Sequence, residues 1–197
     1  METSVERMYR RHAPFYDATR SWLLPGRRRA VERLGVRPGD RVLDFACGTG
    51  LNVPLLRRAG AGEVVGIDLS EAMLARARRN HPFASYLRAD MADVEVPPAP
   101  RVICAFGLSL APDPWRAFQS LHRHVAPGGT LVLLDFGRPG GLPGRLLEAW
   151  LARFGVRSTR GAEEWVADRF ERATRESIRG GVAQILAGDA PRPPRLP

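Results

Sequence analysis

The sequence has few cysteines, no long hydrophobic run and no lysine, and the first two features each exclude a class of protein. Two cysteines, Cys47 and Cys104, supply neither a disulfide framework nor a metal-ligand set, so we expect buried reduced thiols and no bound metal. No stretch approaches the roughly 18 apolar residues of a membrane-spanning helix, and residues 1–12 lack the apolar core of a signal peptide. We therefore expect a cytoplasmic protein.

The missing lysine leaves the basic charge with two interpretations. All 30 basic residues are Arg, which is typical of a compositional bias, and the formal net charge is +9. A basic surface alternatively attracts nucleic acid or anionic lipid through long-range fields. Arginines cluster between Arg7 and Arg33 beside Trp22, Leu23 and Leu24, a combination that suits a membrane interface. The second interpretation therefore favours peripheral contact with an anionic membrane.

Strand-like and helix-like segments alternate along most of the chain. Its 197 residues fit one domain with a substantial core. Five short apolar runs are typical of buried strands: 41–46, 63–68, 84–90, 101–106 and 130–136. Helical patterns lie between them at 51–60, at 70–80 after a capping Ser70, and at 113–129. The alternation predicts an α/β fold, an open parallel sheet with helices on both faces.

The C-terminal third has a weaker pattern. Residues 142–154 carry apolar residues at helical spacing, namely Leu146, Leu147, Trp150, Leu151 and Phe154. They predict a helix packed on the sheet or, alternatively, one lying on a membrane. A further helix is expected over 161–173, and 175–188 favours two closing strands joined at Gly180 and Gly181. We divide the chain into an N-terminal helical cap (1–38), a core (39–188) and a Pro-rich disordered tail (189–197).

The stretch LDFACGTGLN, residues 43–52, is the candidate ligand-binding loop, because ligands of open α/β sheets bind beyond the carboxyl ends of the strands. Gly48 and Gly50 allow close approach of a ligand to the backbone, although GTGLNV matches a dinucleotide fingerprint only in part. Asp44, at the end of the first strand, would repel a pyrophosphate. The sulfonium and α-ammonium of S-adenosylmethionine suit this carboxylate, so the loop favours that cofactor over NAD.

Two further acids end the next two predicted strands. Asp68 is placed to accept hydrogen bonds from both ribose hydroxyls of a nucleoside. Asp90 is placed to accept one from the adenine amino group, with Met73 and Met91 in apolar contact. Acids at the carboxyl ends of three successive strands indicate one site rather than unrelated solvated strand ends.

Four segments together resemble the successive motifs of class I S-adenosylmethionine-dependent methyltransferases: VLDFACGTG, VVGIDLSEAMLARAR, YLRADMADV and HVAPGGTLVLLDF. The resemblance implies a Rossmann-like methyltransferase fold, with a mostly parallel seven-stranded sheet whose last strand is antiparallel. It also implies S-adenosylmethionine as methyl donor and S-adenosylhomocysteine as product. Ala46 stands where many members have Gly. The cofactor-binding residues expected on this basis are Asp44, Ala46, Gly48, Gly50, Asp68, Leu69, Met73, Asp90, Met91 and Phe106.

The segments around the core bear on the methyl acceptor. Residues 105–114 lack the Asn/Asp-Pro-Pro-aromatic motif of methyltransferases that act on nucleobases, so nucleic acid is an unlikely partner. Residues 9–28 are similar to the start of bacterial phospholipid and betaine-lipid N-methyltransferases, and more loosely to quinone C-methyltransferases. We expect N-methylation of a lipid amino head group at the membrane. The alternatives are a quinone C-methyltransferase, a small-molecule or natural-product methyltransferase, and a regulator that senses the cofactor.

The candidate acceptor-binding residues lie mainly in the N-terminal segment. The similarity to phospholipid and betaine-lipid N-methyltransferases implies that the leading helix folds over the cofactor, with Tyr9 and Tyr16 at the mouth of the site. Tyr16 and Asp17 are expected to bind an ammonium and help it lose a proton. The residues expected to hold the acceptor, through guanidinium forks or a hydroxyl group, are Arg20, Arg27, Arg28 and Ser109.

Overall fold

The computed structural model describes residues 26–137, 141–153, 155–157, 159 and 161–192. Its helices are α1 (Arg27–Leu34), α2 (Val53–Arg58), α3 (Glu71–Asn80), α4 (Pro114–Arg123), α5 (Gly141–Ala152) and α6 (Ala162–Arg169). Its strands are β1 (Arg41–Phe45), β2 (Glu63–Asp68), β3 (Ser85–Arg88), β4 (Ala99–Ala105), β5 (Val125–Phe136), β6 (Phe170–Ile178) and β7 (Ala183–Pro191). Short 3-10 turns lie at Leu108–Leu110 and Arg179–Gly181.

The seven strands form one sheet in the order β3-β2-β1-β4-β5-β7-β6. The first five strands are parallel to one another, whereas β7 runs antiparallel to β5 and to β6. This arrangement confirms the predicted α/β fold with a mostly parallel seven-stranded sheet. From β1 the chain adds β2 and β3 on one side, and it then returns to add β4 and β5 on the other side. The strand order therefore reverses between β1 and β4, and the carboxyl ends of these two parallel strands flank the crevice in which such sheets bind ligands.

Both faces of the sheet are covered, which explains the nearly continuous apolar runs in its central strands. On one face, Phe45 packs in a buried cluster with Phe118 and Phe170. On the other face, Leu34 of α1 and Leu56 of α2 belong to a second buried cluster. Burial on two sides fixes the carboxyl ends of β1 and β4 as rigid supports for the loops that follow them.

The helix starts follow the capping signals in the sequence. The Ser70 hydroxyl accepts a hydrogen bond from the Met73 amide at 3.4 Å, and α3 begins at the next residue, Glu71. However, α4 ends at Arg123, so the helix predicted to run to the Pro-Gly-Gly stretch was wrong at its C-terminal end. Val125 pairs with Ala99 of β4, and the Ala99 amide donates to the carbonyl of residue 124 at 2.9 Å. Pairing with β4 therefore ends the helix and starts β5 before the chain reaches Gly128 and Gly129.

The C-terminal region confirms the predicted pair of closing strands and corrects two boundaries. The helix expected over 161–173 ends at Arg169, because Phe170 is fully buried and begins β6. Residues 189–191 belong to β7 rather than to the predicted disordered tail. Asp189 pairs with Thr130, whose hydroxyl donates to the Asp189 carboxylate at 2.7 Å, and this bond anchors the end of the strand.

Two expectations fall partly or wholly outside the described residues. Of the proposed cap (1–38), the structure describes residues 26–38, which contain α1; the predicted acceptor residues Tyr9, Tyr16, Asp17 and Arg20 lie outside the described ranges. Within those ranges, none of the helices has the length and apolar composition needed to cross a membrane.

Candidate functional site

An open cavity lies at the carboxyl ends of the parallel strands, beside the reversal between β1 and β4. Its walls come from the loops after β1, β2, β3 and β4 and from the first residue of α1. Eight of the ten predicted cofactor residues line it: Ala46, Gly48, Asp68, Leu69, Met73, Asp90, Met91 and Phe106. The structure thus brings together residues that are up to 60 positions apart in the sequence.

The loop after β1 turns tightly, and two of its residues have positive φ angles at the cavity. Ala46 has φ 52° and Gly48 has φ 58°, a region that glycine adopts without the strain of a Cβ. The Gly48 amide donates a hydrogen bond to the Asp68 carboxylate at 2.8 Å, which ties this loop to the end of β2. The backbone of the loop therefore forms one wall of the cavity.

Gly50, predicted to contact the cofactor, lies away from the cavity. Its φ is 83°, and a Cβ there would approach His81 Cδ2 to 2.9 Å and the Tyr86 hydroxyl oxygen to 3.2 Å. The loop turns back at Cys47, whose carbonyl accepts from the Gly50 amide at 3.0 Å, so Gly50 faces α3 and β3. Glycine is needed at position 50 because His81 and Tyr86 pack closely against it, not because a ligand contacts it.

Asp44 is fully buried beneath the cavity instead of lining it. Its Oδ1 accepts from Asn52 Nδ2 at 2.8 Å, whereas no described residue donates a hydrogen bond to its Oδ2. Burial raises the pKa of Asp44 to about 7, and this effect outweighs the Asn52 hydrogen bond and the nearby positive charge of Arg27. A buried carboxylate with an unpartnered oxygen favours a cation close to it.

Arg27 and Arg28, both predicted to hold the acceptor, have different environments. Arg27 lines the cavity, donates to Asn52 Oδ1 at 2.9 Å and lies 5.6 Å from the centre of the Phe106 ring. Arg28 points outward, because adjacent residues of a helix face directions about 100° apart. Its side chain is 86% exposed and pairs with Glu32 one helical turn later at 2.9 Å. The structure therefore excludes Arg28 from the cavity.

Asp68 connects the loops that follow β1 and β2. Its Oδ2 accepts from the Gly48 amide and its Oδ1 from the Ser70 amide, at 2.8 and 2.9 Å. Burial raises the pKa of Asp68, while these backbone hydrogen bonds oppose the rise. Each carboxylate oxygen has a second lone pair, so Asp68 keeps accepting capacity towards the cavity that it lines.

A third acid and two methionines form the wall after β3. Asp90 Oδ1 accepts from the Ala92 amide at 2.9 Å, which holds the turn that carries Met91. Met73, on α3, is almost fully buried behind the cavity surface. An acid next to two polarisable apolar side chains suits a flat, polar-edged ring.

The wall after β4 is apolar, and Phe106 is the one residue of this wall that we predicted from the sequence. It contains Leu110, Ala111 and Pro112, in a segment that begins with the strained Phe106, at φ 59°. Ser109, predicted to contact the acceptor, is buried and does not line the cavity. Its hydroxyl donates to Asp135 Oδ1 at 2.6 Å and its amide to Asp135 Oδ2 at 2.9 Å.

Sequence reasoning missed the roles of Asp135 and Asn52. Asp135 holds the turn that positions the apolar wall, and burial raises its pKa while the two Ser109 hydrogen bonds oppose the rise. The available signal was an acid near the end of the buried run TLVLLDF, the same signal that identified Asp44. Asn52 had no comparable signal, because its link between Asp44 and Arg27 depends on the path of the loop. Among the described residues no cluster suits a metal ion.

The chain is similar in sequence to proteins of a known family. A family model described as a methyltransferase domain matches residues 42–129. The chain is 32% identical over 165 residues to a 2-phytyl-1,4-naphtoquinone methyltransferase from Nostoc sp., an alignment that covers 76% of this chain and 72% of that protein. It is 38% identical over 144 residues to a demethylmenaquinone methyltransferase from Thermus thermophilus, covering 67% of this chain and 66% of that protein.

A solved structure shows the same fold over nearly the whole chain. It is described as a complex between the Haloferax volcanii Trm112 methyltransferase activator and a putative methyltransferase. The TM-score is 0.80 at 21% identity, and the match covers 98% of this chain and all of that one.

These similarities confirm the predicted enzyme class and the cofactor, S-adenosylmethionine. They do not support the expected subtype, because the similar proteins are named as quinone methyltransferases rather than phospholipid N-methyltransferases. The resemblance that suggested lipid substrates rested mainly on residues 9–28, most of which lie outside the described residues. With the matching fold, the motif loops at one cavity and a relative similar over most of both chains, the protein belongs to the class I S-adenosylmethionine-dependent methyltransferases.

Proposed function

We propose that the protein transfers a methyl group from S-adenosylmethionine to a ring carbon of a quinol, with a naphthoquinol that carries an apolar tail as the preferred class. The observation that carries the proposal is the apolar wall of Phe106, Leu110, Ala111 and Pro112 at the cavity. A flat aromatic ring gains contact area on such a wall, whereas a charged ammonium head group would lose hydration there. The names of the similar enzymes from Nostoc and Thermus agree with this substrate class.

The cofactor residues are assigned by fit between the cavity and the molecule. We assign Asp68 to the ribose hydroxyls, Asp90 to the adenine amino group, and Met73 and Met91 to the faces of the adenine. Ala46, Gly48, Leu69 and Phe106 supply backbone and apolar contacts around the nucleoside. The field of ionised Asp44 attracts the cationic methionine end, which is consistent with its unpartnered Oδ2. When bound, the cofactor supplies an electrophilic methyl group.

The chain has to align the acceptor carbon with that methyl group and to exclude water. Loss of a hydroxyl proton places electron density on the neighbouring ring carbon. With the cofactor bound, that carbon would form the new bond to the methyl group as the carbon–sulfur bond breaks and its electron pair stays on sulfur, and the ring carbon would then release its hydrogen as a proton. Tyr9, Tyr16 and Asp17 remain our sequence-based candidates for contact with the acceptor and its proton.

A labelling experiment tests the proposal. The purified protein is incubated with S-adenosylmethionine carrying a ¹³C methyl group, together with a short-chain demethylated naphthoquinol and phosphatidylethanolamine in the same mixture. We expect the label on a ring carbon of the quinol, as read by NMR and mass spectrometry. Label on the lipid nitrogen, with none on the quinol, would contradict the proposal and restore the N-methyltransferase interpretation.

A further inference from the structure

Helix α5 presents large apolar side chains to solvent. Leu142, Leu146 and Trp150 are 67%, 63% and 56% exposed, the highest values for large apolar residues among the described part of the chain. Their spacing of four places them on one side of the helix. Leu151 and Gly144 are buried on the other side. A contiguous apolar stripe of this kind marks a surface for interaction.

The charges beside the stripe are positive. Arg145, within α5 next to the stripe, and Arg153, directly after the last residue of α5, are both exposed. The only acid within α5, Glu148, is half-buried and lies towards the protein. Leucine, tryptophan and arginine on one helical side are the composition of helices that lie in the interface of an anionic bilayer. We call Leu142, Leu146, Trp150, Arg145 and Arg153 the α5 face.

The segment that follows α5 returns to the acceptor side of the cavity. The Arg157 amide donates to the Ser109 carbonyl at 2.6 Å. Ser109 directly precedes Leu110, Ala111 and Pro112, which form the apolar wall. The chain from α5 is therefore fastened to the wall that we assign to the acceptor, not to the cofactor side.

We propose that the α5 face docks on an anionic phospholipid bilayer, and that the acceptor reaches the cavity from that surface. The second half of this inference rests on the proposed function, since a quinol with a long apolar tail partitions into lipid. Charge selects lipid over a second copy of the chain, because two copies with a net charge of +9 repel each other while anionic head groups attract the arginines.

Vesicle sedimentation with matched variants tests the docking step. The double variant L142Q/L146Q is compared with F83Q/L87Q, which replaces two exposed apolar residues near the β3 edge. With vesicles of equimolar phosphatidylglycerol and phosphatidylcholine, we expect about tenfold weaker binding for L142Q/L146Q and wild-type binding for F83Q/L87Q. Equal binding of both variants, or equal binding of wild type to pure phosphatidylcholine, would overturn the proposal.

The charge contribution has its own pair of variants. R145Q/R153Q and R58Q/R79Q each remove two exposed arginines, on and off the α5 face. We expect the first pair alone to weaken binding several-fold, with the difference lost at high salt. The same loss in both pairs would show that only the net charge matters, and would contradict a docking face.

A fluorescent probe separates lipid from other occupants of the face. Cys47 and Cys104 are buried, so a thiol-reactive environment-sensitive dye labels L146C selectively. We expect emission typical of an aqueous site without lipid and a blue shift on adding the anionic vesicles. Emission that is already blue-shifted without lipid would mean that this chain, or a second copy, covers the face, and would overturn the proposal.

Activity measurements distinguish this inference from the proposed function. L142Q/L146Q should lose turnover of a long-tailed quinol in anionic vesicles and keep turnover of a tail-less quinol in solution, which also reports that the variant is folded. Vesicle binding without methylation of either quinol would retain the docking face and reject the proposed acceptor. Normal turnover of the long-tailed quinol by the variant would reject delivery through the α5 face.

Discussion

The cofactor side and the acceptor side of the cavity differ in the chemistry of their side chains. On the cofactor side, acids lie near the ends of β1, β2 and β3. Backbone amides donate to Asp68 and Asp90, and the Asn52 side chain donates to Asp44. On the acceptor side, an apolar turn after β4 lines the cavity and its polar support, Asp135, is hidden behind it. One side offers fixed charges to a polar ligand, and the other offers surface to an apolar one.

This difference predicts separable functions. Changes at the carboxylates and the glycine loop should act on cofactor affinity, whereas changes behind the apolar wall should act on the KM for the acceptor. The separation holds only if the two walls are mechanically independent. They meet at Phe106, which contacts the cavity from the β4 side and lies close to Arg27 of α1.

The largest effect is expected for Asp68→Ala. The change removes the acceptor for two backbone amides and, in our assignment, for two ribose hydroxyls. We expect cofactor affinity to fall by about 3 kcal/mol, roughly a hundredfold or more, in calorimetric titration. Asp93→Ala is the control, because Asp93 is 55% exposed and lies outside the cavity. Equal affinity in the two variants would break the assignment of the cofactor side.

The two glycines of the loop provide a sharper contrast. In Gly48→Ala the new Cβ has no described atom within 4 Å and occupies the edge of the cavity, so we expect about tenfold weaker cofactor binding and a modest loss of stability. In Gly50→Ala the new Cβ meets His81 and Tyr86, so we expect unfolding to become easier by about 1–3 kcal/mol. Thermal unfolding and cofactor titration of both variants measure the contrast. The reverse pattern would restore Gly50 as a cofactor residue.

Asp135→Asn tests the acceptor side. The Asp135 carboxylate accepts hydrogen bonds from the Ser109 amide, the Ser109 hydroxyl and the Phe136 amide. In the Asn variant an NH2 group replaces one carboxylate oxygen, so a donor faces a donor and at least one of these hydrogen bonds is lost. The turn that carries Leu110 should shift, and we expect the KM for the quinol to rise about fivefold while the cofactor dissociation constant stays unchanged. An increase in the cofactor dissociation constant with an unchanged KM would show that the two sides are not separable.

The smallest effect is expected for Arg28→Ala. Its exposed ion pair with Glu32 contributes at most about 0.5 kcal/mol to stability, and the side chain lies away from the cavity. Arg27→Ala is the matched variant, because losing its positive charge raises the pKa of Asp44 further and should weaken cofactor binding several-fold. A loss of quinol turnover in Arg28→Ala equal to that in Arg27→Ala would contradict the orientation of α1.

The two sides were also unequally predictable from sequence. Asp68 ends β2 and Asp90 follows the last residue of β3 by two positions, so their convergence follows from the parallel pairing of these two strands. Leu110 to Pro112 form a short irregular turn whose direction depends on the distant Asp135, a contact 26 residues away from Ser109 that no local pattern encodes. Gly50 shows the same limit, because a glycine that faces a ligand and one that faces His81 look identical in sequence.

The boundaries that sequence placed wrongly have related physical causes. The glycines after Pro127 are a strong stop signal for a helix, yet pairing of Val125 with Ala99 draws the preceding backbone into β5. Phe170 continues the apolar spacing of α6, but its full burial beside β7 places it at the start of β6. In both places a contact with a distant strand overrides the local preference.

The most direct test of the central claim is the pH dependence of cofactor binding. Because burial raises the pKa of Asp44 to about 7, the group is mainly protonated about one pH unit below that value and mainly ionised about one unit above it. A cationic ligand binds the ionised form, so calorimetry should show affinity for S-adenosylmethionine increasing as the pH rises, up to about tenfold per unit below the pKa, and then levelling off. In Asp44→Asn, we predict weaker binding in which this rise is lost. An identical rise in both proteins would contradict the claim that the buried carboxylate attracts the cofactor.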